Sequence, residues 1–457
     1  MNFPGTLGRS WSQWFCFPLL TIYFAGAWVL ANLSFPSVYS AWFSVVLFLS
    51  YLLFYLRKNF PFVLITCFVS YYYFALVLGA VSAESGVYML EIKEQGQPNG
   101  SASLVLFFYI VFLEVMYLSW QYFTAVLKRF EFPSVSVKGE RFFGGWLCII
   151  ILAVCIYLIY SYSSPVLMGI ERSTFSANYA PSWFSSMYSV FLQSFSIMAL
   201  LWCFDSRRRK IYSIAVACYF LFMFIVFGQK FSGMILLLFT VLAILGAQGR
   251  SLSFRLFICL FCFGLVLFSL VCYAYISIGR NPLEFILARY ALQGQLIWSV
   301  VSDPYVNFLR VNDLGCLVGK CSGYGSLIDL ISERYLPADV YQAYHAGGNK
   351  LSGFSPAAHI LAFGFPISIM LCVFFSAISG AISAFWVAAV QSRNLLVSVL
   401  AYKLMFSVAY IYLVEAMPVL RGAAFWGSGY IFLILLMLAL IHAGKRVAIS
   451  RKGSLPA

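Results

Sequence analysis

Five cations are scattered singly along the sequence: Arg172 in SSPVLMGIERSTFSANY, Lys230 in FGQKFSG, Arg280 in SIGRNP, Arg289 shortly after it, and Arg421 in MPVLRGAA. Gathered at one surface, such groups suit a phosphate-bearing ligand, through charge and, for arginine, two-point hydrogen bonding. Alternatively, each snorkels to a lipid headgroup or pairs with a nearby acid. A second kind of chemistry is offered by His359, set in GFSPAAHILAFGFP between Pro356 and Pro366 and close to Ser355. An imidazole titrates near neutral pH and so can take a proton from a hydroxyl, although a lone histidine also serves as a hydrogen-bonded structural residue. Glu415 is either a partner for Arg421 or a second carboxylate for the same proton work. Glu114 and Lys403 are opposite charges inside apolar runs, where ionisable groups are costly. An ion pair between packed helices is the simplest expectation for them.

The elements that must position these residues are membrane helices. The 457-residue chain is 63% hydrophobic and only 10% charged, with a mean hydropathy of +0.91. Soluble domains carry about 25% charged residues. Runs long enough to cross a bilayer as helix predict an all-α, polytopic fold with twelve spans: 15–33, 38–56, 61–82, 102–126, 143–162, 186–204, 211–228, 233–248, 256–278, 366–390, 395–416 and 423–443. The first run has no small-residue cleavage site and reads as a retained span. With both termini cytoplasmic, the inner connections hold 18 of the 29 basic residues against three acids, Glu131, Glu140 and Asp205. The net charge of +14 is thus a topology signal and gives no reason to expect a nucleic-acid partner.

That orientation leaves three loops outside: 83–101, 163–185 and 279–365, the last between spans nine and ten. Asn281-Pro282-Leu283-Glu284 reads as an N-cap, a first-turn proline and a capping glutamate, so a helix runs from there to about Val301. Ser326–Tyr335 reads as a second helix, stopped before Pro337. The loop is therefore expected to be a small helical cap within a single membrane domain, 1–457. Ten of the twelve cysteines fall in or beside spans, where cysteine acts as a small apolar residue. The other two, Cys316 and Cys321 in CLVGKC, are expected to form a short disulfide. No zinc site is expected, because CLVGKC has no further ligands nearby, His345 sits in a polar stretch and His442 ends the last span. No phosphate-binding loop, dinucleotide fingerprint, metalloprotease motif or nucleophile elbow is present. An enzyme of this layout therefore uses an activated, lipid-linked substrate from the outer face, with no cofactor.

The order of elements resembles the Wzy-type O-antigen and oligosaccharide repeat-unit polymerases of bacterial envelopes. Arg172 matches their basic residue after a mid-chain span, and Arg280 the one that ends the span before the large loop. Gly228-Gln229-Lys230 corresponds to their G-x-R hairpin, with lysine in place of arginine, and Arg421 to the arginine of the last outer hairpin. GFSPAAHILAFGFP looks like their G-x-S-P step and re-entry, and its histidine before a glycine-bearing turn is also similar to the related O-antigen ligases. The resemblance implies glycosyl transfer between undecaprenyl-diphosphate-linked oligosaccharides, donor and acceptor, at the periplasmic face of the bacterial inner membrane. It implies diphosphate and glycan binding by Arg172, Lys230, Arg280, Arg289 and Arg421, with His359 or Glu415 as base. A chain-length regulator protein is a further partner of such enzymes. Two alternatives share this layout: an O-antigen ligase, and a flippase for the same lipid-linked units. The long outer loop and the absence of internal repeats favour the polymerase.

Overall fold

The computed structural model describes residues 11–127, 137–170, 172–205, 208–228, 232–249, 265, 269, 272, 276, 281–311, 313–318, 321, 327–347 and 355–413. Within them the chain is built almost wholly of helices. In lipid each backbone N–H and C=O must find its partner inside its own segment, and a helix does this for a single apolar run. In chain order these are α1 (Trp11–Ser34), α2 (Val38–Lys58), α3 (Phe60–Ile65), α4 (Cys67–Glu84), α5 (Ser101–Leu127), α6 (Val137–Tyr162), α7 (Arg172–Asn178), α8 (Phe184–Phe204), α9 (Arg209–Ile225), α10 (Ser232–Ala247), α11 (Pro282–Ser302), α12 (Leu327–Tyr335), α13 (Ala338–Gly347), α14 (Ala357–Gln391) and α15 (Leu395–Leu413). A two-stranded antiparallel hairpin follows α4, with β1 (Tyr88–Met89) paired to β2 (Glu94–Gln95).

Among the described residues, seven helical stretches are long and apolar enough to cross a membrane: Cys16–Ser34, Val38–Lys58, Cys67–Glu84, Ser101–Leu127, Gly144–Tyr162, Phe184–Phe204 and Ala357–Gln391. Gly233–Ala247 and Leu395–Ala409 are shorter apolar helices. The protein is thus an all-α, membrane-embedded chain. The run 61–82, expected as one span, is divided at Thr66 into α3 and α4, where the threonine hydroxyl donates back to the Phe62 carbonyl at 3.0 Å. The runs 256–278 and 423–443 lie outside the continuously described residues.

The centre of the bundle is α5, buried along most of its length and packed against α4 and α14. Its first turn is held by the buried carboxylate of Glu84, which accepts from Gly100 N–H (3.3 Å), the Ser101 hydroxyl (2.9 Å) and Ala102 N–H (2.7 Å). A carboxylate there satisfies donors that a helix start leaves open and meets the positive end of its dipole.

Glu114 departs from the expected ion pair with Lys403. Tyr51 and Tyr55, one turn apart on α2 and so on one face, each donate a hydroxyl to one of its oxygens at 2.7 Å. The nearby cation is Lys58, whose Nζ lies 4.9–5.3 Å from the ring centres of Phe17, Phe54, Tyr55 and Tyr117 and within electrostatic reach of Glu114. Two phenols and a caged ammonium solvate the carboxylate, leaving Lys403 half-buried on α15. Removing the acceptor strands both hydroxyls, and each buried unsatisfied group costs about 1–3 kcal/mol. Thermal unfolding in detergent should therefore rank wild type above Glu114→Gln, and Glu114→Gln above Glu114→Ala. An alanine variant as stable as wild type contradicts the arrangement.

The helix expected over Asn281–Val301 is α11, but it packs along α4 rather than standing in the cap. Gly79 and Gly294 allow this approach: a Cβ on Gly79 would lie 2.4 Å from the Gly294 nitrogen, and one on Gly294 would lie 2.0 Å from the Gly79 carbonyl carbon. The part of the long loop outside the bundle accordingly begins at Asp303. Beyond it stand a short 3-10 helix (Leu314–Val318), α12 and α13. This cap is tied to the hairpin. Glu91 accepts from the Gln295 amide and the Tyr344 hydroxyl, and Lys93 meets Asp339 at 2.5 Å. Lys93 holds the exposed Asp339 carboxyl below the ordinary carboxylate range.

Candidate functional site

The segment around His359 is a broken helix. Ala357–Phe363 forms one short helical piece, Gly364 leaves helical geometry at φ 71° and ψ 170°, and the spanning piece resumes through Pro366. Proline supplies no backbone N–H and clashes with the preceding turn, so the break falls where its residue types allow it. A ledge of the cap closes over the break. Phe365 N–H donates to Phe308 C=O at 2.6 Å, and Asp313 N–H donates to Ala362 C=O at 2.9 Å. A Cβ on Gly364 would lie 2.5 Å from the Arg310 carbonyl oxygen, so this contact needs glycine both for space and for its positive φ.

The residues from Ser355 to Gly364 are all buried, and His359 is fully so. Its ring stacks on Tyr412 of α15, with centres 4.9 Å apart and planes at 24°. Tyr412 stacks in turn on Phe112 and Phe375. Nδ1 lies 3.4 Å from the Ser355 hydroxyl, at the long end of the hydrogen-bond range. The Ser355 N–H donates to Leu413 C=O at 3.3 Å, and the Tyr72 hydroxyl donates to the same carbonyl. The break is thereby fastened to the end of α15 as well as to the ledge.

His359 Nε2 makes no hydrogen bond among the described residues. The Tyr73 and Tyr412 hydroxyls and the Cys372 thiol are close enough to hydrogen-bond one another, and Tyr412 also reaches Ser355. Buried polar groups are nearly always satisfied. An orphaned imidazole nitrogen beside a helix break therefore marks a place where a polar guest gains more than it does beside a satisfied group. Neither tyrosine stood out in the sequence, where thirty tyrosines give no basis for choosing two.

The other candidate residues are distributed as follows. Arg172 begins α7, and Arg289 lies on α11 beside the α4 contact; both are described by backbone position alone. Lys230, Arg280, Glu415 and Arg421 lie outside the described residues, as does His442. His345 is on α13, likewise described by its backbone. His359 is thus the one catalytic or substrate-binding candidate whose side-chain surroundings are described; Ser355 stands beside it in the sequence, whereas Tyr73 and Tyr412 join it only through the fold. Cys316 and Cys321 are linked by a disulfide, with S–S 2.12 Å. Asp313 brings its carboxylate near these sulfurs, within 4.8 Å, but sulfurs bonded to each other offer no thiolate to a metal.

Residues 323–425 match a family of unknown function, DUF6418. That stretch takes in α12, α13, the broken helix with His359 and α15, and extends past Glu415 and Arg421. No curated protein and no solved structure matches the chain.

Proposed function

We propose that the chain is a Wzy-type polymerase, a membrane glycosyltransferase that joins undecaprenyl-diphosphate-linked oligosaccharide repeat units at the periplasmic face of the bacterial inner membrane. It would have twelve spans with both termini cytoplasmic. The observation that carries the reading is the cap hydrogen-bonded onto a broken helix start, with a buried histidine whose Nε2 has no described hydrogen bond. Joining two lipid-linked glycans needs a polar centre at membrane depth and a structured platform beside it for bulky sugars, and this junction offers both.

In the proposed reaction, a hydroxyl at the non-reducing end of one unit attacks the anomeric carbon of the growing chain. The bond from that carbon to the diphosphate oxygen breaks, and polyprenyl diphosphate leaves with the electron pair. Arg172, Arg280, Arg289 and Arg421, with Lys230 as a weaker fifth, bind the diphosphate and stabilise its growing charge. The lysine offers a point charge where arginine would offer a fork. His359 takes the hydroxyl proton at Nε2, with Glu415 as the alternative base. Because the ring is fully buried, the hydroxyl reaches it only when the ledge or its neighbours yield.

Purified protein supplied with a defined undecaprenyl-diphosphate-linked repeat is expected to make polymer. In cells, deletion is expected to leave single capped repeats; complete chains accumulating on the carrier lipid would point to a ligase and overturn the reading. Arg280→Ala and Arg421→Ala should each abolish chain extension with membrane expression preserved. Normal-length polymer from both variants would remove the diphosphate clamp. His359→Phe keeps a ring against Tyr412 but has no proton acceptor. It should remain folded and lose about 10²–10⁴-fold in rate, the usual contribution of a general base. Wild-type turnover in that variant would leave His359 with a shaping role only.

A further inference from the structure

The ledge that grips Gly364 carries an apolar surface that the proposed reaction does not use. Tyr305 is 87% exposed, Leu309 79%, Leu314 56% and Val311 43%, with Arg310 exposed among them. Large apolar side chains in such a cluster mark a surface that meets something other than water. The acids on either side are turned inward. Asp303 is held by Arg334 at 2.7 Å and by the Tyr335 hydroxyl at 3.1 Å, and Asp313 accepts from the Gly315 N–H at 2.8 Å.

The depth of the ledge identifies what covers it. Its Phe308 carbonyl is bonded to Phe365, and the Phe365 ring packs on Phe107 and Phe108 of α5 at 5.9 and 5.8 Å. Helix α5 has 27 residues, so at about 1.5 Å per residue it is about 40 Å long. That exceeds a hydrocarbon core of about 30 Å by roughly 5 Å at each end. Phe107 lies about 9 Å along the helix from Ser101, which sets it and the ledge at the boundary between headgroups and acyl chains. Tyrosine with aliphatic neighbours and a snorkelling arginine is a composition suited to that boundary.

We propose that the ledge is an interfacial anchor, with Tyr305, Leu309, Val311 and Leu314 seated in the lipid leaflet at the capped end and Arg310 reaching lipid phosphate. The anchor fixes the height of the cap relative to the bilayer, so the break at Gly364 is held at the level where a lipid-linked headgroup arrives. The proposal needs only the membrane-embedded bundle and stands whether or not the chain is a polymerase.

The test uses the full chain in vesicles of phosphatidylethanolamine and phosphatidylglycerol, with a photoreactive benzophenone side chain in place of Tyr305, of Leu309 or of the exposed Glu333 on α12. Illumination is expected to give phospholipid adducts from positions 305 and 309 and none from 333. Loss of the phospholipid adduct at both 305 and 309 overturns the anchor. Crosslinking of those two positions to a second protein chain instead of lipid also overturns it, and makes the patch a protein interface.

Discussion

On the proposed polymerase reading, alanine in place of Gly364 is expected to abolish chain extension while leaving the helical bundle in the membrane. Two penalties act together. The backbone at φ 71° and ψ 170° lies in a region essentially reserved for glycine, and a residue with a Cβ held there is strained by about 1–3 kcal/mol. The added carbon would also meet the Arg310 carbonyl oxygen at 2.5 Å, a backbone atom that cannot rotate away. Relief requires the ledge to lift or the break to straighten. Either movement loosens the bonds from Phe365 to Phe308 and from Asp313 to Ala362. The Ser355–His359 segment then loses its cover while α4, α5 and the part of α14 beyond Pro366 keep theirs. Circular dichroism should change little, the thermal midpoint should fall, and polymer should be absent. Gly145→Ala is the matched control, since nothing lies within 4 Å of a Cβ there. A Gly364→Ala variant that polymerises normally would show that the break can be rebuilt without its glycine and that the ledge contact is incidental.

Much of this arrangement can be read from residue types, and the places where reading fails have physical reasons. Apolar runs mark spans because lipid forces backbone satisfaction within each run. Pro356, Gly364 and Pro366 point to a broken segment because each restricts or frees the backbone in a known way. The helix after Asn281 is legible from its first turn, yet its place against α4 is not. Gln295, Ser299 and Arg289 lower its apolar character, so it resembles a surface helix, whereas the Gly79–Gly294 contact that seats it joins residues far apart in the chain. Glu114 draws attention as a charge, and a second charge is the natural partner to seek. Its partners are instead Tyr51 and Tyr55, neutral donors that give no signal among so many tyrosines. His359 could be singled out by rarity, but the rings that hold it, Tyr412 above all, belong to another helix and emerge only from the packing.

The helix contact that escaped the sequence should be the most sensitive to substitution. Gly294→Ala is expected to reduce folded yield sharply, and Gly79→Ala somewhat less so. On Gly294, a Cβ would sit 2.0–2.1 Å from backbone atoms of Gly79 and Ala80; on Gly79, it would sit 2.4 Å from the Gly294 nitrogen and the Tyr290 oxygen. Backbone on both sides leaves no side chain to yield, so α4 and α11 must move apart. Overpacking usually costs about 1–3 kcal/mol, and occasionally more, in interiors where side chains can adjust; this site should lie at or above the upper end. Because both substitutions push on one contact, their effects should not add. Once the first has separated the helices, the second Cβ enters space already opened, and the double variant should be little worse than Gly294→Ala alone. The consequence also travels to the cap. The indole N–H of Trp298 on α11 donates to Gln97 C=O at 2.7 Å. Asn99 donates to the Trp298 carbonyl at 2.9 Å and to the Ser302 hydroxyl at 2.8 Å. Shifting α11 away from α4 strains these bonds and displaces the start of the ledge at Asp303, so folded variant protein recovered at low temperature should extend chains poorly. Additive losses from the two glycines, or full activity in the recovered protein, would mean that α11 is held by its ends and that the glycine contact follows from the packing instead of setting it.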